Sequence, residues 1–388
     1  MTNNPRPLKA AESKAVGVTD IGREISEFWR DFAEESSGKQ ITRVCTISLM
    51  VYTEDEESLP TTESIVAVAA DEHPLRGIYL LANKESETDG TQGQVSGFCR
   101  LEAAGDLQIC CEQLVIAASG RAVQELPNSA LALLVPDLPV ALWWTGQPPF
   151  GTEFFERLES LSDKLIVDSL DFSDQSVGLR ESASYASKHP HSGLGDLNWL
   201  RLTAWREVIA DLFDDPAHLP YLKKIDLLDI EYVAGETRKP AQAIMMAGWI
   251  ASRLGWNALK GADNPPEEEF TATASNAANR TIKVNIRPVA RESQTGNISA
   301  IRIEADGGKA KFSVVRTESG KALDVSAEVE GIEPCRSSSV SESLATGKLL
   351  AQELEVISAD EVYYESLIAG LDLLTYAPGA EQLGKTIW

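Results

Sequence analysis

Residues 41–52 read ITRVCTISLMVY, and residues 60–73 read PTTESIVAVAADEH. The first stretch has β-branched and apolar residues at both odd and even positions, which is typical of a strand covered on two faces. A proline opens the second stretch as a helix, and a His-Pro pair closes it, because the residue before a proline disfavours helical geometry. A second strand is predicted over 77–82. Strand, helix and strand in this order predict a crossover unit of an α/β fold.

The rest of the N-terminal half continues this alternation. A helix capped by Asp20 is predicted from the helical spacing of apolar residues between 21 and 32. Two strands flank Gly105-Asp106, a loop of the kind that closes a hairpin. The full expectation for this half is helices over 21–32, 121–134 and 152–161, and strands over 95–104, 107–117, 138–144 and 164–169.

The C-terminal half begins after a polar segment, 171–196, which is rich in Ser and Gly and has no steady period. Beyond it we expect a buried helix over 197–213, a strand over 225–233 and a long helix from Pro240. Small residues in that long helix would let another element approach closely. The remaining elements are four strands with an antiparallel arrangement, over 281–287, 298–305, 311–316 and 323–329, and closing helices over 341–353 and 358–374.

These patterns predict an α/β chain with two domains. The N-terminal α/β domain spans 15–175 and has a mixed sheet with flanking helices. A linker spans 176–196. The C-terminal domain, 197–388, is of the α+β type with an antiparallel sheet.

Composition narrows the classes of function. The 388 residues are 43% hydrophobic and 24% charged, as in ordinary globular proteins. Their net charge of −24 would repel nucleic acid and anionic membranes, so neither is an expected partner. The polar start, the lack of a 20-residue apolar stretch and five scattered cysteines predict a cytoplasmic protein with reduced thiols.

Motifs for catalysis are missing from the sequence. No glycine-rich dinucleotide turn follows a strand, and no nucleophile elbow, HExxH helix or paired CxxC is present. Residues 379–386 match the letters of a phosphate-binding P-loop, but no helix follows before Trp388, so we expect a polar tail there. We therefore expect no enzyme activity, no cofactor and no metal.

Three cysteines invite a redox interpretation. Cys110 and Cys111 are adjacent on a predicted strand, so their side chains point to opposite faces and a bond between them would be strained. Pairing with Cys99 across the hairpin is easier. Buried, unreactive thiols are the simpler interpretation, and both remain open.

Tryptophan and arginine are concentrated in two segments. Both residue types dominate binding energy at protein interfaces, but buried aromatics in a core are the commoner observation. Both interpretations stay open for the candidate partner-binding residues, which are Trp143, Trp144, Trp199, Arg201, Trp205 and Arg206.

Three tryptophan-containing segments follow one another in the chain. Residues 136–144 read PDLPVALWW, residues 196–207 read DLNWLRLTAWRE, and residues 247–256 read AGWIASRLGW. In these segments the chain resembles the glucose-6-phosphate dehydrogenase assembly protein family, OpcA. The resemblance extends from about residue 21 to the closing helices.

The resemblance implies a non-catalytic protein of carbohydrate metabolism that binds glucose-6-phosphate dehydrogenase. As an assembly factor and allosteric activator it would favour the active oligomeric form of that enzyme in the oxidative pentose phosphate pathway. The resemblance also implies thioredoxin-linked regulation, for which Cys99, Cys110 and Cys111 are the candidate thiols. The alternative is an α/β enzyme or binding protein acting on a sugar phosphate or nucleotide through scattered residues, namely His189, His191, Arg201 and Arg206.

Overall fold

The computed structural model describes residues 14–16, 20–35, 40–43, 45–101, 107–189, 193–235, 238–259, 270–291, 295–341 and 344–375. The chain divides into two units. The N-terminal unit comprises Met1–Asp171, His189–Leu197 and Ala345–Ala359, and the C-terminal unit comprises Phe172–Lys188, Asn198–Leu344 and Asp360–Trp388. Among the described residues, no helix has the length and apolar character that a membrane crossing requires.

Helices and strands alternate along much of the chain, which confirms the α/β class. The helices are α1 (Ile21–Glu35), α2 (Leu59–Glu72), α3 (Leu126–Leu131), α4 (Glu153–Glu159), α5 (Gln175–Lys188), α6 (Leu197–Leu200), α7 (Thr203–Asp214), α8 (Ala241–Leu254), α9 (Thr346–Glu355) and α10 (Glu361–Thr375). The strands are β1 (Lys14–Val16), β2 (Gln40–Arg43), β3 (Ile47–Thr53), β4 (Leu75–Asn83), β5 (Gly90–Leu101), β6 (Leu107–Ser119), β7 (Val140–Trp144), β8 (Lys164–Val167), β9 (Gly193–Asp196), β10 (Ile225–Val233), β11 (Asn257–Leu259), β12 (Phe270–Ser275), β13 (Thr281–Val289), β14 (Ile298–Ala305), β15 (Ala310–Arg316), β16 (Ala322–Val329) and β17 (Cys335–Val340).

The N-terminal unit is built on a nine-stranded sheet in the order β1-β5-β6-β4-β3-β7-β8-β9, with β2 also paired to β6. The six strands from β6 to β9 pair in parallel, and β5 joins β6 as an antiparallel hairpin. The predicted crossover unit is confirmed as β3, α2 and β4. Counted along the chain, the parallel strands lie in the order 3-2-1-4-5-6, which is that of doubly wound dinucleotide-binding sheets.

Residues 41–52, expected to form one strand, contribute to two strands, β2 and β3. Residues Gln40–Arg43 pair with the first part of β6, whereas Ile47–Thr53 pair with β4 and β7. All seven residues of β3 are buried, as expected for a central strand covered on both faces. Two separate strands form because β2 and β3 have different neighbours in the sheet.

The described residues of the segment interpreted as a linker, 176–189 and 193–196, are mostly helix and strand. They contain most of α5 and all of β9, and β9 pairs in parallel with β8. Strand β9 was not predicted because two of its four residues are glycines, which are uncommon in strands. A Cβ on Gly193 would overlap the carbonyl oxygen of Ile357, and one on Gly195 would overlap the carboxylate of Glu353, so close packing within the N-terminal unit explains both glycines.

The C-terminal unit contains an eight-stranded sheet in the order β11-β12-β13-β10-β14-β15-β16-β17. Neighbouring strands are antiparallel except β10 and β13, which are parallel. The expected antiparallel sheet is therefore corrected to a mixed one. The physical reason is the connection from β10 to β13, which runs through α8, β11 and β12 and returns the chain in its original direction.

Helices α8 and α10 pack closely in the C-terminal unit. An added Cβ on Gly248 would overlap the carbonyl oxygen of Ser366, and one on Gly370 would lie 2.5 Å from the carbonyl oxygen of Ile244. These contacts confirm the expectation that small residues of the long helix admit another element. The other closing helix, α9, belongs to the N-terminal unit.

Candidate functional site

Doubly wound sheets bind ligands at the carboxyl edge of their parallel strands, where the strand order reverses. In the N-terminal unit this reversal lies between β3 and β7, which are paired in parallel. These strands end at Thr53 and Trp144. The residues that follow them decide whether the edge can hold a nucleotide.

Aromatic rings are packed at this edge. Tyr52 and Trp144 are register partners on β3 and β7, and their rings stack with centroids 3.9 Å apart and planes at 27°. Phe154 and Phe155 of α4 contact Trp144 edge-on, at centroid distances of 6.4 and 5.4 Å. Because Tyr52 and Trp144 are both buried, the protein's own rings occupy the space at the strand ends.

The turn after β3 is acidic. In dinucleotide-binding sheets this turn is rich in glycine, and the amides at the start of the following helix face the pyrophosphate. Here the Oδ1 atom of Asp55 accepts hydrogen bonds from the backbone N–H groups of Glu57, at 3.0 Å, and Ser58, at 3.3 Å. The neighbouring Glu54 and Glu56 add further negative charge. A carboxylate of the chain therefore takes the amides, and the surrounding charge opposes a phosphate.

The positive charge near this turn is already paired. Lys84 makes an ion pair with Glu54, whose Oε1 atom also accepts a hydrogen bond from the Tyr52 hydroxyl at 2.8 Å. The Lys84 ammonium lies 5.9 Å from the ring centroids of both Tyr52 and Phe154. Burial, together with the Glu54 carboxylate, raises the pKa of Tyr52 above its ordinary value, so the phenol stays neutral and donates its proton to that bond.

In the C-terminal unit, Arg206 and Trp199 form a stacked pair. The guanidinium carbon of Arg206 lies 3.7 Å from the centroid of the Trp199 ring. The indole N–H of Trp199 donates to Asp360 at 3.0 Å, and Arg206 Nη2 donates to Thr203 Oγ1 at 2.9 Å. Burial lowers the pKa of Arg206 to about 10, against the opposing effect of Asp360 and Glu207. The stacked guanidinium is therefore largely desolvated and held in one position.

The four candidate tryptophans are core residues in the structure. Trp143, Trp144, Trp199 and Trp205 are each at most 5% exposed. Within the described part of the chain, the indole nitrogens of Trp143 and Trp205 are buried without a hydrogen-bond partner. A partner protein cannot contact these indoles, because both faces of β7 and more than one face of α6 and α7 are packed against the rest of the protein. Among the candidates, Arg201 and Arg206 keep partial exposure.

A buried amide network, which the sequence did not indicate, holds this helical segment in place. Gln242 of α8 donates to the side-chain oxygens of Asn198, at 2.7 Å, and Asn297, at 3.3 Å. Its own oxygen accepts the backbone N–H of Ile298 at 3.1 Å. Such a network fixes position because each group left unpaired in a core would be strongly unfavourable.

An apolar cleft of about 220 Å³ lies further along α7. It is bordered by Ala210 and Phe213 of α7, by Leu219 and by Trp249 of α8. Residues 206, 210 and 213 are spaced so that they share one face of the helix. Leu219 is 54% exposed, which is high for a large apolar side chain. Arg206 and the cleft are therefore two candidate contact features on the same face of α7.

The remaining candidates are scattered. The register of β5 and β6 places Cys99 opposite Cys110, while Cys111 is buried. The side chains of Cys99 and Cys110 lie outside the described residues, as do His191 and the P-loop-like residues 379–386. His189 is half-buried at the end of α5.

Comparisons with known proteins place these features in context. The model described as the glucose-6-phosphate dehydrogenase subunit N-terminal domain matches residues 66–184, and the model of the corresponding C-terminal domain matches residues 192–367. The chain is 28% identical over 404 residues to the OxPP cycle protein OpcA of Synechocystis sp., covering 95% of this chain and 78% of that protein. It is 29% identical over 308 residues to the OpcA protein of Synechococcus elongatus, covering 77% and 68%.

Among solved structures, the chain is similar to the dehydrogenase MviM of Clostridium difficile. The TM-score is 0.45 at 11% sequence identity, with 88% of this chain and 99% of that chain covered.

Proposed function

Because this chain belongs to the OpcA family, we propose that it is a non-catalytic cytoplasmic protein that binds glucose-6-phosphate dehydrogenase and favours the active oligomer of that enzyme. The proposal that the chain is not catalytic is supported mainly by the turn after β3. There Asp55 accepts hydrogen bonds from the two amides that directly precede α2, those of Glu57 and Ser58, in a sheet whose strand order otherwise suits a dinucleotide. The pathway served is the oxidative pentose phosphate pathway.

Activation of this kind needs no chemistry by the activator. A protein that binds the active form of an enzyme better than the inactive form shifts the population toward the active form. A coupling free energy of about 1.4 kcal/mol corresponds to a tenfold change in an equilibrium constant. A few well-placed contact residues supply that much.

The contact face that we propose is Arg206 together with the apolar cleft bordered by Leu219 and Trp249. Arg206 is held by its stacking on Trp199, so little conformational entropy is lost when it binds. The cleft offers exposed apolar surface on the same helix face. The matching patch on the dehydrogenase is an apolar side chain next to a carboxylate, because these two groups fit the cleft and the guanidinium.

A thioredoxin-linked control of this binding is part of the same proposal. It is supported by the register of β5 and β6, which places the backbones of Cys99 and Cys110 directly opposite each other. Reduction and oxidation of this pair would act on the β5–β6 hairpin, which lies between β1 and β4 in the N-terminal sheet.

The experiment mixes the purified chain with the dehydrogenase of its own host and measures molar mass by size-exclusion chromatography with light scattering. The proposal predicts a species heavier than either protein alone, in reducing buffer, in oxidising buffer or in both. The isolated chain is also assayed with NADP⁺ and sugar phosphates, where no turnover is expected. Absence of a heavier species in both buffers, or turnover by the isolated chain, would contradict the proposal.

A further inference from the structure

Two helix ends meet at a second place in the N-terminal unit. Glu72 is the last residue of α2 and Glu355 is the last residue of α9, while His73 directly follows α2. One potential ligand atom from each of these three side chains lies within 4.8 Å of the others. Because α2 leads into β4, this cluster lies at the amino edge of the sheet, opposite to the carboxyl edge described above.

The electrostatics of the cluster favour a cation. The carboxyl end of a helix carries a partial negative charge, so an acidic residue there is unfavourable and a basic one is favourable. Neither α2 nor α9 has a basic residue in its last turn, and both end in glutamate. Lys348 pairs with one oxygen of Glu72, Oε1. Among the ion pairs of the described residues, this ammonium neutralises the Glu72 carboxylate and none involves Glu355.

The ring of His73 adds an independent observation. Its Nε2 atom is buried and has no hydrogen-bond partner among the described residues. The backbone of His73 is fixed, because its N–H donates to the carbonyl oxygen of Ala69 at 3.0 Å. A buried polar atom without a partner is unfavourable. A neutral imidazole can satisfy such a nitrogen by binding a metal ion through it.

We propose that Glu72, His73 and Glu355 bind one divalent transition-metal ion of the Zn²⁺ class. A set of one imidazole nitrogen and two carboxylate oxygens suits Zn²⁺ and its neighbours, whereas Mg²⁺ and Ca²⁺ prefer oxygen ligands alone. Tetrahedral Zn²⁺ has ligands at about 2.0–2.2 Å, so the three atoms need to close by roughly 1 to 1.5 Å, which flexible glutamate side chains allow. Water completes the coordination.

The role of this site is structural. Helix α9 packs on α2, where a Cβ on Gly347 would lie 2.6 Å from the side chain of Val68. A metal bound by Glu355 from one helix and by Glu72 and His73 from the other would join their two ends. Binding would therefore stabilise the N-terminal unit, since a ligand that binds only the folded state raises its stability.

The test uses the full chain without an affinity tag, freed of metal by chelation and dialysed. Zn²⁺ uptake is measured by equilibrium dialysis with elemental analysis, and thermal unfolding is recorded with and without Zn²⁺. The variants are His73→Gln and Glu355→Gln, and His189→Gln is the matched control at another histidine of the same unit. Glu355 is exposed, so Glu355→Gln is expected to fold even if the substitution at His73 disturbs packing.

The expected result is that the wild type and His189→Gln bind one more equivalent of Zn²⁺ than either site variant, or bind it at least tenfold more tightly. Zn²⁺ should raise the unfolding temperature of the wild type and leave that of Glu355→Gln unchanged, while Mg²⁺ changes neither. Equal uptake by the wild type and Glu355→Gln would overturn the proposal. Loss of uptake in His189→Gln alone would also overturn it, because the metal would then lie elsewhere.

Discussion

The ammonium group of Lys164, at the start of β8, lies 2.6 Å from the Oε1 atom of Glu353 in α9, although 189 residues separate them in sequence. The same ammonium donates to the carbonyl oxygens of Glu353 and Val356 at 2.9 and 2.6 Å. Both side chains are at most 8% exposed. This pair explains how a helix from near the end of the chain is held in the N-terminal unit.

Removal of one member of the Lys164–Glu353 pair should be strongly destabilising. Lys164→Met leaves the Glu353 carboxylate buried without its counter-charge, and we expect a loss of about 3–5 kcal/mol in the free energy of unfolding. The double variant Lys164→Met/Glu353→Leu should recover part of that loss, because no isolated charge remains. Urea unfolding of the wild type, Lys164→Met, Glu353→Leu and the double variant measures both effects. A double variant as unstable as the sum of the two single variants would refute this explanation.

Two helical glycines should respond differently to alanine, because one is packed against another helix and the other is not. Gly248→Ala should destabilise the chain by about 1–3 kcal/mol, because the new methyl group overlaps the backbone of α10 at Ser366. Gly22 lies in α1 with nothing within 4 Å of an added Cβ, so Gly22→Ala should be neutral or should stabilise by up to about 1 kcal/mol. Thermal unfolding of both variants checks the pair. A Gly248→Ala protein as stable as the wild type would contradict the packing described.

Two buried tyrosines make stability fall at alkaline pH. Burial raises the pKa of Tyr52 and of Tyr79 above the ordinary value, with carboxylates Glu54 and Glu63 adding to the shift. In the unfolded chain both phenols lose their protons from about pH 10 upward, while in the folded chain they keep them. Above this pH the folded state binds more protons than the unfolded state. The contribution of these two phenols to the free energy of unfolding is therefore fully present below pH 10 and is lost as the pH rises.

This alkaline effect is measured by phenolate absorbance and by urea unfolding at pH 8 and pH 10.5. Tyr79→Phe should lose less stability between these two pH values than the wild type does, because phenylalanine does not ionise in either state. If all eight tyrosines of the folded wild type ionise together near pH 10, the burial argument is wrong.

Arg206 should be important for partner binding if the proposed contact face is correct. Arg206→Ala is expected to weaken the affinity for glucose-6-phosphate dehydrogenase at least tenfold, since stacked arginines are typical of binding hot spots. Arg121, whose side chain is 92% exposed, provides the control, and Arg121→Ala should bind like the wild type. Affinity is measured by biolayer interferometry, and circular dichroism confirms that both variants fold. An unchanged affinity for Arg206→Ala would move the contact face elsewhere.

The sequence predicted those helices and strands whose apolar residues follow a clear local pattern. The helix after Asp20, the crossover unit, the antiparallel pairing of β5 with β6 and the strand 225–233 are all confirmed, while the predicted turn at Gly105-Asp106 lies outside the described residues. Local sequence carries the information in these elements, as helical spacing of apolar residues in α1 and as an uninterrupted β-branched and apolar run in β3. The small residues of the long helix likewise indicated the close approach that α10 makes at Gly248.

Long-range pairings could not be predicted in this way. Strand β9 reads GLGD, and its glycines are explained only by Ile357 and Glu353, which lie far away in sequence. The parallel pairing of β10 with β13 and the assignment of α9 to the N-terminal unit also depend on distant partners. The metal-site residues were missed for the same reason, since Glu355 has no fixed spacing from His73.

The candidate binding residues illustrate a different limit. Tryptophan is enriched both in cores and in interfaces, so composition alone left two interpretations for Trp143, Trp144, Trp199 and Trp205. Their burial depends on which faces other elements cover, and that is a property of the whole fold. The acidic turn after β3 was visible in the sequence as residues 54–57, but its meaning depended on the strand order.

We expect this chain to change the activity of glucose-6-phosphate dehydrogenase by binding alone. The most direct measurement is the specific activity of the host dehydrogenase over a dilution series, with and without a saturating amount of this chain. We expect the activity to persist to dehydrogenase concentrations at least tenfold lower when the chain is present, with no turnover by the chain itself. Superimposable dilution curves would contradict the claim.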